Sequence, residues 1–205
     1  SGSYCVRGGS VGCLAKKVTY KGVAAHAGGS PWAGKNAFYA ATCGINAVNA
    51  IRETFKESDT IRVHPIITCG GAMVNAIPET AEIESYVRGR SFGAIVRENK
   101  KINRALIGAA LSLGANIEII DIPGYSPLVN CREMKIVAAD AAKLIDPDLE
   151  LAVDTAWSTG STDMGDLSCI MPVVHPYCPG AKGAGHGNDY VIHDPDAACV
   201  RCAKW

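Results

Sequence analysis

The order of the periodic segments between residues 11 and 122 constrains this chain more than any other feature. Four segments show the apolar–polar alternation, or the apolar run, that a β-strand requires: residues 11–20, 61–67, 81–88 and 116–122. Two segments place apolar residues three and four positions apart, as an amphipathic helix does: residues 34–55 and 91–113. The order strand, helix, strand, strand, helix, strand is that of the ferredoxin-like fold. We therefore predict an α+β fold whose first domain, residues 10–122, is a ferredoxin-like βαββαβ unit.

The ends of the second predicted helix carry recognisable signals. Ser91 stands where a side-chain oxygen can accept a hydrogen bond from the first helical turn, as N-cap residues do. Gly114 stands where many helices end with a residue in the left-handed conformation. These two residues predict a helix that begins just after Ser91 and ends just before Gly114.

The remainder of the chain, residues 123–205, carries fewer periodic segments and longer loops. Residues 132–144 predict a helix, and the apolar run at residues 169–174 predicts a strand. Two loops rich in small residues, 157–163 and 180–187, accompany them. Loops of this length are usually functional or a sign that a neighbouring element is missing. We therefore expect this second domain to be part of a larger α/β domain.

Composition excludes several classes of function. The chain has 20 Lys plus Arg and 20 Asp plus Glu, and we expect no nucleic-acid partner because phosphate binding needs a basic excess. No apolar run reaches the ~18 residues of a membrane span, and no secretory signal is visible, so we expect no membrane association. The nine cysteines are odd in number and irregularly spaced, which favours a reducing, cytoplasmic compartment over a disulfide framework.

Several motifs resemble one family when they are taken together and in order. They are the segments Gly22–Ala37, Asp59–Pro78 and Tyr86–Arg88, followed by Gly160–Asp166 and Gly185–Gly187. This set resembles the dinuclear-metal amidohydrolases and peptidases, the family of the aminoacylases, the aminobenzoyl-glutamate hydrolases and the indole-acetyl-amino-acid hydrolases. The first three segments resemble its lid domain, and the last two resemble late segments of its catalytic domain.

The resemblance implies a function and an incomplete chain. In this family the lid is inserted into a zinc-peptidase-like α/β domain, so residues 10–122 would be the lid and residues 123–205 the C-terminal portion of the catalytic domain. The N-terminal half would be absent, and we expect the fragment to be inactive alone. The intact enzyme would hydrolyse the amide bond of N-acyl or N-aroyl amino acids, or of small dipeptides, with a metal-activated water. It would use two divalent metal ions, zinc or manganese, and would be a homodimer through the lid.

The resemblance also assigns roles to particular residues. His26 matches the lid histidine that reaches the neighbouring active site of the dimer and stabilises the tetrahedral oxyanion. Asn75 and Arg88 correspond to lid residues that hold the substrate's carboxylate. Contacts with substrate are further expected from two hydroxyl residues of the late loop, Ser161 and Thr162. His186 matches the last metal ligand of the family.

Other interpretations of the same residues stay open at this point. The ferredoxin-like unit could be a non-catalytic dimerisation or small-ligand-binding module, because this fold hosts many functions. Arg88 could form a salt bridge with Glu82 or Glu84 on its own strand face. Cys199 and Cys202 could join two histidines in a zinc site, but their intervals do not match a zinc finger, and a helix that begins near Asp194 would simply make them neighbours.

Overall fold

A computed structural model describes residues 4–204, which form two compact units. One unit is residues 11–127, and the other joins residues 4–10 to residues 128–204. The domain limits predicted from the sequence, 10–122 and 123–205, stay a prediction.

The helices and strands are numbered here in chain order. The strands are β1 (Tyr4–Val6), β2 (Gly9–Ser10), β3 (Gly12–Lys21), β4 (Arg62–Val63), β5 (Ile66–Cys69), β6 (Thr80–Gly89), β7 (Asn116–Pro123), β8 (Leu128–Val129), β9 (Leu151–Val153) and β10 (Trp157–Ser158). The α-helices are α1 (Ala37–Ile51), α2 (Phe92–Ser112), α3 (Arg132–Ile145), α4 (Met164–Ser168) and α5 (Pro195–Lys204).

The unit of residues 11–127 is built on one antiparallel sheet. Strand β3 lies at its centre and pairs with β6 from Gly12↔Gly89 to Lys21↔Thr80, and with β7 on its other side. Strands β4 and β5 both pair with β6 at the outer edge. Helices α1 and α2 pack against each other and against the sheet. This arrangement confirms the ferredoxin-like α+β fold predicted from the order of the segments.

The core of this unit lies between the two helices and one face of the sheet. Along β3 the side chains of Leu14, Val18 and Tyr20 are buried in it, and the residues of the opposite parity point to the open face. Gly44 of α1 is required at its position, because a Cβ there would lie 2.2 Å from the Tyr20 hydroxyl. That close approach lets the hydroxyl donate to the carbonyl of Leu106 at 3.0 Å, so the buried phenol is satisfied.

Capping residues set the helix boundaries. The Asn36 side chain accepts from the N–H of Tyr39 at 2.9 Å, so α1 begins at Ala37 and not at Gly34 as predicted. A 3₁₀ turn follows α1, so this helix also stops short of the predicted residue 55. Ser91 accepts from the N–H of Ala94 at 3.1 Å, and Gly114 has φ +65°, which confirms both signals predicted for α2.

The predicted strand at residues 61–67 is two short strands. Pro65 has no N–H to donate to the ladder and lies between β4 and β5. The register of β5 against β6 then shifts between Ile67 and Cys69. This outer edge is therefore interrupted, whereas the β7 edge runs unbroken over eight residues.

The second unit has short strands and three helices. Strand β1 pairs in parallel with β9, and β2 lies between β10 and β8. Helix α3 confirms the helix predicted at residues 132–144. Asn130 links three segments, because its backbone donates to Gly8, its amide to the Arg7 carbonyl at 3.0 Å, and its oxygen accepts from the N–H of His175 at 2.8 Å.

The strand predicted at residues 169–174 is wrong. Helix α4 ends there in a turn, in which the N–H groups of Ile170 and Met171 donate back to the carbonyl of Leu167 at 3.1 and 3.0 Å. Pro172 then removes the next donor, so no ladder can form through it. Ile170 and Met171 are 79% and 54% exposed, which shows that apolar character alone did not bury this segment. Within residues 4–204, none of the helices combines the length and apolar character needed to cross a membrane.

Candidate active site

His26 lies on the loop that leaves β3, where the chain runs beside the segment that enters β6. The N–H of Ile77 donates to the Ala25 carbonyl at 2.9 Å, and the N–H of Ala27 donates to the Asn75 carbonyl at 3.0 Å. His26 itself forms an isolated bridge with Ala76. These backbone bonds bring His26 and Asn75 to the same end of the sheet, and both side chains are exposed.

The His26 ring is held by the backbone that follows it. Its Nδ1 accepts hydrogen bonds from the N–H of Gly28 at 3.2 Å and of Gly29 at 2.8 Å, while its carbonyl accepts from Ser30 at 3.0 Å. A ring nitrogen that accepts carries no proton, so a neutral imidazole in this geometry has its proton on Nε2. Within residues 4–204 the Nε2 atom has no hydrogen-bond partner, and the ring can therefore donate to a group from outside this unit.

Asn75 lies beside a groove of about 520 Å³. The residues that line the groove are all uncharged and come mainly from α1 and the loop before β6. Among them Met73 and Val74 are 62% and 101% exposed, and Tyr39 is also exposed. A groove of this character can accommodate an apolar group next to the amide of Asn75.

Arg88 lies on β6, on the face of the sheet that no helix covers. Its guanidinium carbon is 5.3 Å from the centre of the Tyr86 ring, an arrangement in which a cation contacts an aromatic face. Of the described residues, no carboxylate lies within 4.0 Å of it, and Glu82 pairs with Lys17 instead. The salt bridge to Glu82 or Glu84 considered from the sequence is therefore not formed.

His26 and Arg88 lie at opposite ends of the sheet. Register places Thr80 opposite Lys21, near His26, whereas Arg88 is opposite Cys13 at the far end. At about 3.4 Å per residue, the stretch from residue 80 to residue 88 spans about 27 Å. One lid therefore cannot bring both side chains to a small molecule.

Ser161 and Thr162 lie in the second unit, just before helix α4. The Thr162 hydroxyl accepts from the N–H of Met164 at 3.4 Å and donates to Asp163 at 3.1 Å, which is a local capping role. The Ser161 hydroxyl is buried and has no hydrogen-bond partner among the described residues. Because buried hydroxyls normally have partners, Ser161 is the better candidate to bind a group from outside.

His186 lies in the turn of a loop that the backbone pair Lys182 and Val191 closes. The N–H of Gly187 donates to the Ala184 carbonyl at 2.8 Å, and His186 has φ +65°. A left-handed conformation is unfavourable for a residue with a Cβ, by about 1 kcal/mol. Such strain in an exposed histidine is consistent with a functional position.

Potential metal ligands do not cluster in the chain. Within the described residues 4–204, no three side chains of the types His, Cys, Asp and Glu come together so that they could hold a metal ion. His186 therefore has no companion ligands here. Cys199 and Cys202 lie on helix α5, whose first turn is capped by Asp194 accepting from Ala197 at 3.0 Å. The residues present do not form a dinuclear metal site by themselves.

Sequence reasoning missed the two glycines that hold His26. Gly28 and Gly29 were visible in the sequence as a glycine pair two and three residues after a histidine. That spacing is the one at which a side chain can accept from the following backbone, as Asp or Ser does at a helix start.

The fold and the placement of these side chains define a class first. The unit of residues 11–127 is a ferredoxin-like domain that presents a histidine loop at one end and an arginine on its open face. Comparison with known families then names it: the chain belongs to the M20 peptidase dimerisation domain family, whose model matches residues 9–111.

Individual relatives agree with this assignment. The human Xaa-Arg dipeptidase is 34% identical over 179 residues, which cover 84% of this chain and 40% of that protein. A p-aminobenzoyl-glutamate hydrolase homolog from Haemophilus influenzae is 32% identical over 102 residues, 50% of this chain and 22% of that protein. In structure, the aminopeptidase PepT of Bacillus cereus superposes with a TM-score of 0.72 at 17% identity, covering 100% of this chain and 53% of that one. The chain thus spans two fifths of the human dipeptidase and about half of the aminopeptidase.

Proposed function

We propose that the protein is part of a metal-dependent amidohydrolase or peptidase that hydrolyses N-acyl or N-aroyl amino acids, or small dipeptides. The observation that carries the proposal is the His26 loop, in which a family lid presents a histidine with a free donor at Nε2. The names of the relatives, a dipeptidase and an aminobenzoyl-glutamate hydrolase, support the same class of reaction.

His26 is the proposed catalytic residue, and it acts as a hydrogen-bond donor. When water adds to the amide carbonyl, negative charge develops on the carbonyl oxygen, and the Nε2–H of a neutral imidazole can donate to it. One donor of this kind contributes about 3 kcal/mol of transition-state stabilisation. The nearby Asn75 amide supplies a second neutral donor, to the carboxylate of the substrate.

Arg88 is the proposed partner of the substrate carboxylate. A guanidinium pairs with a carboxylate through two parallel bonds, and no carboxylate of the described chain already occupies it. Because His26 and Arg88 are about 27 Å apart in one lid, we infer that each active site takes the two residues from different protomers of a homodimer. The family's description as a dimerisation domain supports this arrangement.

The metal is proposed for the whole protein and not for these residues alone. Divalent ions of the zinc or manganese type, two per intact site, would activate the water. His186 is the one ligand proposed from this chain, and the remaining ligands would lie outside the described residues. Ser161 and Thr162 are proposed to contact substrate, with Ser161 supported by its unpartnered buried hydroxyl. Nine unpaired cysteines support a reducing compartment, the cytoplasm.

Hydrolysis in a reconstituted dimer tests the proposal. The chain is co-expressed with an N-terminal segment of the human dipeptidase, taken from outside the matched region, and assayed with an N-acyl amino acid and a dipeptide. Hydrolysis that depends on added zinc or manganese is expected. His26→Asn and Arg88→Gln are each expected to lower kcat/KM by about a hundredfold, the usual effect of removing one donor to a developing charge.

Mixing the two variants separates a shared site from two independent ones. A dimer with one His26→Asn and one Arg88→Gln protomer contains one site with both changes and one with neither, so a random mixture recovers about a quarter of the activity. Recovery below a few per cent would contradict the shared site. No hydrolysis by the unmodified pair would contradict the proposed function and would favour a non-catalytic dimerisation module.

A further inference from the structure

We propose that Gly28 and Gly29 are positioning residues, whose backbone N–H groups hold the His26 ring as the Nε2–H tautomer and so restrict it to donating. The inference rests on the proposed function for the role of the donor, but the arrangement of the ring is a property of this chain. Both amides approach the same ring nitrogen, at 3.2 Å from Gly28 and 2.8 Å from Gly29.

The alternative tautomer is incompatible with this loop. A proton on Nδ1 would be set against two N–H donors and would remove both hydrogen bonds. The loop cannot move these amides away freely, because its backbone is bonded on both sides of the ring: Ala27 donates to the Asn75 carbonyl at 3.0 Å and Ser30 to the His26 carbonyl at 3.0 Å. The neutral ring is therefore confined to one tautomer.

Small residues at these two positions make the close approach possible, and they do so unequally. A Cβ on Gly29 would lie 3.2 Å from His26 Nδ1, closer than an ordinary van der Waals contact. A Cβ on Gly28 would lie 3.6 Å from Cε1, which is an ordinary contact. Gly29 is also the closer donor, so it is the more important of the two.

This arrangement limits what His26 can do. With Nδ1 occupied by two donors and Nε2 carrying the proton, the neutral ring has no free lone pair with which to remove a proton from water. His26 therefore donates to the substrate, and the proton of the attacking water goes to another group of the whole protein.

Nitrogen-15 NMR of the 205-residue chain tests the inference without any assay of hydrolysis. Long-range correlations from the ring protons to the ring nitrogens give the tautomer of His26. We expect a protonated Nε2 and an unprotonated Nδ1 in a single population. Acidification that protonates the ring removes the acceptor, so the amide resonances of Gly28 and Gly29 are expected to move together with those of the ring.

Matched variants separate the hydrogen bonds from the mere presence of a tight loop. Gly29→Ala is expected to shift the ring nitrogens toward a mixture of tautomers, whereas Gly28→Ala leaves them unchanged. In His26→Asn, whose side-chain oxygen can replace Nδ1 as acceptor, the glycine amide resonances are expected to stay in place but to stop following pH.

Two results would overturn the inference. They are a substantial population of the Nδ1–H tautomer in the unmodified chain, or glycine amides that do not respond when the ring is protonated. Loss of hydrolysis in the reconstituted dimer with an intact Nε2–H tautomer would instead reject the proposed function and leave the positioning by Gly28 and Gly29 in place.

Discussion

Gly114 shows how a single residue decides the end of a helix. It has φ +65°, and a Cβ at this position would come no closer than 3.7 Å to any other residue, so only backbone conformation restricts it. Gly108 is the opposite case, because it lies within α2, is exposed, and has nothing within 4 Å of a Cβ. The same residue type is therefore required at one position and unfavourable at the other.

The two glycines predict opposite effects of the same substitution. Gly114→Ala is expected to lower the free energy of unfolding by about 1 kcal/mol, because the left-handed conformation is unfavourable for alanine. Gly108→Ala is expected to raise it by about 0.5–1 kcal/mol, because alanine is the better helix former. Urea denaturation of both variants provides the measurement. A loss of stability in both would mean that space, and not conformation, limits these positions.

Lys16 shows how the elements of the first unit are joined by a buried polar group. Its side chain is 2% exposed and pairs with Asp121 of β7, which is 28% exposed. Asp121 also accepts from Asn99 at 2.6 Å and from Asn103 at 3.1 Å, both on α2. This network connects two strands and a helix at one point.

The network shifts the ionisation of both charged groups. Burial lowers the pKa of Lys16 below its ordinary value, although the hydrogen bond and the charge of Asp121 partly offset it. Burial by itself raises the pKa of Asp121, but hydrogen bonds from Lys16, Asn103 and Asn99 outweigh it, so that pKa lies below its usual range. The carboxylate of Asp121 is therefore stabilised by folding.

Acid should weaken the fold through this carboxylate. A folded-state pKa below the unfolded value contributes stability above the unfolded pKa, about 3.9, and that contribution disappears as the pH falls through the folded pKa. Asp121→Asn should lower the free energy of unfolding at pH 7 by about 2 kcal/mol and should remove this part of the pH dependence. Urea titrations at pH 7 and at pH 3 measure both effects.

An exposed pair between the same two strands is the control for Asp121. Lys21 and Glu118 also join β3 to β7, at 2.8 Å, but their side chains are 57% and 54% exposed. Glu118→Gln should leave stability nearly unchanged, since water screens such pairs. Equal losses in the two variants would show that burial does not distinguish them.

At the scale of the whole molecule, helix α1 is the feature that most resembles a surface for another copy. It contains no charged residue over its fifteen positions, although Tyr39, Cys43 and Asn46 are exposed. Helix α2 is charged at several positions by contrast. Uncharged exposed faces are typical of surfaces that become covered.

We expect the chain to be a dimer by light scattering at tens of micromolar. A charge placed on the outer face of α1, Asn46→Arg, should weaken the dimer at least about tenfold, because like charges would meet across it. Ser112→Arg at the end of α2 is the matched control and should leave the dimer intact. A monomer in the unmodified chain, or equal weakening by both variants, would argue against α1 as the interface.

Metal content is the second expectation for the whole molecule. The described residues contain no group of three or more ligands, so the purified chain should retain less than about one equivalent of zinc or manganese, and His186→Ala should change this little. Elemental analysis after purification under reducing conditions measures the content. Two retained equivalents, lost on His186→Ala, would show that the chain holds a complete site.

The sequence alone was sufficient where a property depends on near neighbours in the chain. The order of the elements, the cap at Ser91 and the turn at Gly114 follow from periodicity and from backbone preference, which act over a few residues. The order of short motifs was also enough to indicate the family, because it does not depend on how the segments pack.

Only the tertiary structure decided the properties that depend on distant partners. Residues 169–174 are apolar enough for a strand, but a helix end and Pro172 leave them without a ladder. His26 and Arg88 look like members of one site in the sequence, yet the register of β3 and β6 puts them at opposite ends of the sheet. Strand pairing converts separation along the chain into distance in space, and periodicity along the chain contains no information about that distance.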